Sequence, residues 1–157
     1  MKHIALSVVI LAASFAQGQS FKETLRWMHN ASEYNVSSDP TKGDFDWVEV
    51  PLTNTCTNFV ITLEHDGETK HTFKAVLNLR TIDPNTIRAS AGPEEDLWTS
   101  VYIGTTDDQS AIQTERTNSF GRKTSGVSFP FNASFAPRFV KALRHAVILC
   151  GGKPSKF

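Results

Sequence analysis

Ser134-Phe135-Ala136-Pro137-Arg138-Phe139-Val140-Lys141-Ala142-Leu143-Arg144-His145-Ala146-Val147-Ile148-Leu149-Cys150-Gly151-Gly152 is the stretch on which the fold turns. Phe135, Phe139, Ala142, Leu143, Ala146, Val147 and Cys150 recur at helical spacing and make one broad apolar stripe. Ser134 has the chemistry of an N-cap, Pro137 is tolerated in a first turn where its missing N–H has no partner to lose, and Gly151-Gly152 is a usual helix stop. Arg138, Lys141, Arg144 and His145 lie off the stripe, and three of the four are expected toward the helix end, where the dipole favours positive charge. Such a stripe needs an apolar surface to cover, and the preceding residues supply one.

Val127, Phe129 and Phe131 alternate as a last strand, and Pro130, which has no N–H to donate, puts it at an edge or near its own end. Residues 55 to 80 read as a hairpin, with Thr57, Phe59, Ile61 and Leu63 alternating outward and Phe73, Ala75, Leu77 and Leu79 on the return. Pairing Ile61 with Phe73 and Phe59 with Ala75 puts both apolar sets on one face and calls for a three-residue turn with Gly67 left-handed. Further strands are expected over Phe45–Val50, near Ile87, over Trp98–Thr106, and over Ser110–Arg116, the last pairing back across an Asp107-Asp108 turn around Ile112. Asn35–Gly43, Gly92–Asp96 and Thr117–Gly126 read as loops.

Near the start, Ser20-Phe21-Lys22-Glu23 has the form of a capping box, opening a helix to about Glu33 with Phe21, Leu25 and Met28 on one face and Trp27, Ala31 and Tyr34 widening it. The order is helix, about seven strands, helix. It predicts an α+β fold in which an antiparallel β-sheet or small barrel encloses a core that the C-terminal amphipathic helix covers.

Residues 1–16 read as a secretory signal, with Lys2, an apolar run from Ile4 to Ala13, and Ser14 and Ala16 before a cut after Ala16. The run is too short to anchor a helix in a membrane, and no Cys follows it to carry a lipid. Residues 17–157 then form one globular domain, secreted or periplasmic, with no transmembrane segment. Without Lys2, fifteen Lys and Arg face sixteen Asp and Glu, so net charge gives no general attraction to nucleic acid or anionic membrane. Cys56 and Cys150 are expected to form a disulfide in that compartment, the competing reading being two buried thiols.

His65 and His71 flank the hairpin turn with Asp66 and Glu68 between them, ligand types that suit a divalent ion, but the expected register aims the side chains apart and makes this a solvated turn. His29 and His145 stand alone on helices. No Gly-x-Ser-x-Gly elbow, His-Glu-x-x-His helix or Gly-rich phosphate loop occurs, and Glu94-Glu95-Asp96 and Asp107-Asp108 lack calcium-loop spacing. The residues therefore assign no catalytic, cofactor or metal site. Phe120, Phe129, Phe131, Phe135 and Phe139 are read as core, the alternative being the wall of an apolar-ligand pocket. Arg138, Lys141 and Arg144 are a solvated face that could meet an anionic partner. Asn30, Asn35 and Asn132 begin glycosylation sequons.

Leu77-Asn78-Leu79-Arg80-Thr81-Ile82-Asp83-Pro84-Asn85-Thr86-Ile87 and the later run Ala142–Gly152 resemble segments of uncharacterised exported bacterial proteins. That resemblance implies export and carries no activity or site residue. The helix-capped strand order also resembles pleckstrin-homology-like domains, which implies a small barrel closed at one end by the last helix. A lipocalin-like carrier is the nearest alternative fold, but Gly43 and Trp47 are too far apart for its Gly-x-Trp signature. The sequence thus points to a non-catalytic binding or envelope-accessory module, with a small secreted hydrolase assembled from distant residues, or an apolar-ligand carrier, as alternatives.

Overall fold

The computed structural model describes residues 20–33, 36–39, 44–66, 70–90 and 98–155; the expected signal, the Gly67 turn and the acidic run Glu94-Glu95-Asp96 lie outside them. The described elements run α1 (Phe21–Glu33), β1 (Val36–Asp39), β2 (Asp44–Glu49), β3 (Phe59–Asp66), β4 (His71–Leu77), β5 (Arg88–Ala89), β6 (Trp98–Gly104), β7 (Ile112–Arg116), β8 (Ser119–Thr124), β9 (Gly126–Asn132) and α2 (Ala136–Leu149). All strand pairs are antiparallel, so the fold is α+β. The strands divide into a six-stranded sheet, β1-β2-β3-β4-β7-β8, and a three-stranded sheet, β5-β6-β9, with no closed barrel among the described residues.

The capping box forms as expected. The Ser20 N–H donates to Glu23 Oε2 at 2.7 Å and the Glu23 N–H to Ser20 Oγ at 3.3 Å, giving two backbone donors at the helix start a partner. The Ser20 backbone and side chain hold the Glu23 carboxyl below its ordinary value. Leu25, Met28 and Ala31 are buried beneath the helix, as their spacing requires.

The hairpin of β3 and β4 keeps the expected face but not the expected register. Ile61 pairs with Ala75, Phe59 with Leu77 and Leu63 with Phe73, two residues away from the sequence-based pairing. A two-residue slip leaves every side chain on its face, so the alternation fixed the parity of the pairing and left its register open. Three further expectations fail. Val36–Asp39 and Ser119–Thr124, read as loops, are the edge strands β1 and β8, and β7 pairs with β4 and β8 instead of turning back onto β6. Pro130 does lie on an edge strand, since β9 closes one side of the smaller sheet.

The two sheets face each other across a core in which Phe73 of β4 meets Phe129 of β9 at 5.5 Å between ring centroids. α2 covers this core from the side, and Phe139 packs on Phe131 at 4.3 Å. Phe59, Phe129, Phe131 and Phe139 are all at most 2% exposed, so the interior is filled with aromatic side chains and these phenylalanines do not wall an open pocket. Ser134 does not cap the helix. Its N–H and its hydroxyl both donate to Asn132 Oδ1, and α2 begins after Phe135 with Pro137 in its first turn.

Cys56 and Cys150 are disulfide-bonded, with Cα atoms 5.4 Å apart. The buried Asn54 side chain holds the Cys56 loop in place, donating to Val60 O and accepting from the Val60 N–H, both at 2.9 Å, in imitation of a strand. Beyond the bond, Gly151 ends α2 at a φ of +87°, where glycine is favoured. Gly152 lies so close to the chain that a Cβ there would meet Val147 Cγ1 and stand 2.7 Å from Leu79 O. The segments Leu77–Ile87 and Ala142–Gly152 are thus neighbours in space, and Arg144 Nε donates to Ile87 O at 2.9 Å across the same seam.

Asp83 fastens the residues that follow. Its Oδ2 accepts from the Ser155 N–H at 2.9 Å and its Oδ1 from the Asn85 N–H at 2.8 Å. Burial pushes this carboxyl up, but the Ser155 and Asn85 hydrogen bonds outweigh it and leave the group below its ordinary value. A lowered folded value means that the ionised group stabilises the fold above its unfolded value of about 3.9, and that this is lost as pH falls through the folded value. Asp83→Asn is therefore expected to lower stability by about 1–3 kcal/mol at neutral pH and to flatten the decline below about pH 4, in urea titrations across pH.

Candidate functional site

α2 turns a core face inward and leaves a second face outside. Stepping at about 100° per residue, Pro137, Lys141, Arg144 and Ile148 centre that outer face, with Arg138 and His145 along one flank. Together with Trp27 of α1 they line an open trough of about 810 Å³. Arg138 lies over the Trp27 ring at 5.8 Å. Arg138, Lys141 and Arg144 are exposed and His145 is half-buried.

The chemistry of the trough is one-signed. Among the described residues no acidic side chain lines it, although the whole chain has equal numbers of acidic and basic side chains. Its Ile148 is 59% exposed, and neighbouring Leu149 is 44% exposed, so large apolar groups stand in water beside the cations. The bond from Arg144 to Ile87 O fixes one edge of its guanidinium and leaves the helix face cationic. The expected pairing of these bases with the helix dipole does not occur, because the last turn of α2 carries no basic residue. Arg138 lies in the first turn of α2 and Lys141 and Arg144 mid-helix, and all three are exposed.

The other singled-out residues separate. His29 Nδ1 contacts Val50 O at 2.9 Å and so ties α1 to the end of β2. Ser32, the hydroxyl of the Asn30 sequon, is buried, donates to His29 O and accepts from the Val50 N–H. Asp107 and Asp108 are exposed, at positive φ of 56° and 54°, in a 3-10 turn whose Asp107 N–H donates to Ser155 Oγ. Both sit as polar turn residues.

His65 and His71 are the exception. They are directly paired across β3 and β4, and their rings stack at 4.5 Å with 29° between the planes. The expectation that they aim apart is therefore overturned, because it rested on the register that the hairpin does not adopt. Among the described residues, no three His, Cys, Asp or Glu side chains gather as a metal cluster, and no helix is long and apolar enough to cross a membrane.

Comparison with protein-family models, with curated proteins and with solved structures finds no match for this chain.

Proposed function

We propose that this protein is a non-catalytic exported module that docks on an anionic envelope lipid surface through the outer face of α2. The observation that carries this reading is the trough lined by Arg138, Lys141, Arg144 and His145 with apolar Trp27 and Ile148, and by no acidic side chain among the described residues. Cations near an anionic bilayer contribute about 1 kcal/mol each, and exposed apolar side chains beside them add burial in the interface. Three Arg and Lys with Ile148 and Leu149 suit reversible peripheral attachment. The reading of residues 1–16 as a signal supports an address outside the cytoplasm, and the Cys56–Cys150 bond is compatible with an oxidising compartment.

The carrier alternative needs an empty interior, and the aromatic packing around Phe129 and Phe139 weighs against it. The test is co-sedimentation with vesicles of phosphatidylcholine alone or mixed with phosphatidylglycerol. Binding is expected only to the mixed vesicles, to weaken as salt rises, and to fall at least tenfold in the exposed double variant Arg138→Glu, Lys141→Glu. Equal binding to both vesicle types, or a double variant that binds as the wild type does, would overturn the proposal.

A further inference from the structure

We infer that His65 and His71 form a binding site for a divalent transition ion of the imidazole-seeking class, such as Zn²⁺, Ni²⁺ or Cu²⁺. The hairpin places them as direct Cα partners, so both side chains leave the sheet on one side. That side is the core-facing one. His65 follows Phe59, Ile61 and Leu63 at two-residue spacing, and His71 precedes Phe73, Ala75 and Leu77 in the same way. The pair sits one row beyond Leu63 and Phe73, at the end of the sheet where the packed interior stops.

Ring stacking at 4.5 Å brings the two imidazoles side by side. Two nitrogens on one ion at bonds of about 2.0–2.1 Å lie roughly 3.3 Å apart in a tetrahedron, which modest rotation of facing imidazoles can reach. The site is open, because His71 is exposed and His65 half-buried, so water can complete the coordination. Arg116, the register partner of Phe73 in the next row, is held over the Phe73 ring at 5.3 Å. Imidazole pairs favour late first-row divalent ions over Mg²⁺ or Ca²⁺, which take oxygen ligands.

This site is separate from the α2 trough and does not depend on the lipid reading. The experiment titrates the oxidised full chain with ZnCl₂ and, separately, NiCl₂, by calorimetry, beside His65→Ala and His71→Ala variants whose folding is checked by thermal melts. One ion per chain is expected for the wild type, with at least tenfold weaker binding in each variant. A second readout is the histidine ring NMR signals, of which His65 and His71 should broaden first on adding Ni²⁺. Failure of the wild type to bind saturably, undiminished binding in both folded variants, or first broadening at His29 or His145 would overturn the assignment.

Discussion

Replacing Cys56 and Cys150 together by Ala is expected to lower the unfolding free energy by about 4–5 kcal/mol, read as a fall in the urea midpoint. The bond links residues 94 apart, so cutting it frees a long loop in the unfolded chain, and loop entropy rises with the logarithm of that length. It joins the end of α2 to a loop whose Cys56 carbonyl accepts from the Leu79 N–H at 2.8 Å, so both anchors are already ordered in the folded protein. For a domain whose total stability is about 5–15 kcal/mol, the loss is large enough to populate the unfolded chain. Dithiothreitol on the wild type should reproduce the effect. An unchanged midpoint in both experiments would mean that the unfolded chain is already held compact by other means.

Phe139→Ala should cost about 3–5 kcal/mol, measured in the same way. Phe139 is 1% exposed and packs on Phe131, so truncation removes apolar burial and leaves a void among side chains from α2 and β9. Ile148, on the outer face of the same helix, is the contrast, because its exposure predicts little loss on truncation. Phe139 and the disulfide hold opposite ends of α2. Their effects should therefore fall short of additive when combined, since once either end is released the other has less to hold.

The two helices and most strands were legible because each rests on a local signal. Ser20 and Glu23 announce α1, and the stripe through Phe139, Leu143 and Val147 announces α2. β1 and β8 were not legible, and both are the edges of the larger sheet. An edge strand bonds to one neighbour only, so Val36-Ser37-Ser38-Asp39 and Ser119–Thr124 meet its demands with a composition that otherwise reads as loop. The partner of β7 was hidden for another reason: the chain leaves β6 in one sheet and resumes in the other, and nothing near Asp107-Asp108 encodes that crossing.

The candidate sites divide in the same way. Arg138, Lys141, Arg144 and His145 could be placed on the outer face from spacing alone, whereas Trp27 joins them only through the packing of α1 on α2. The approach of His65 to His71 depends on register. Alternation of apolar residues is indifferent to a slip of two, so the sequence named the pair and could not bring the rings together.

The helix that covers the interior is made after every described strand. Until Phe139, Leu143 and Val147 are made, the facing sheets have an uncovered apolar side, and Cys56 has no partner to oxidise with. Closing of the interior and of the Cys56–Cys150 bond therefore both wait on α2, so the order of synthesis places them behind all of the described strands.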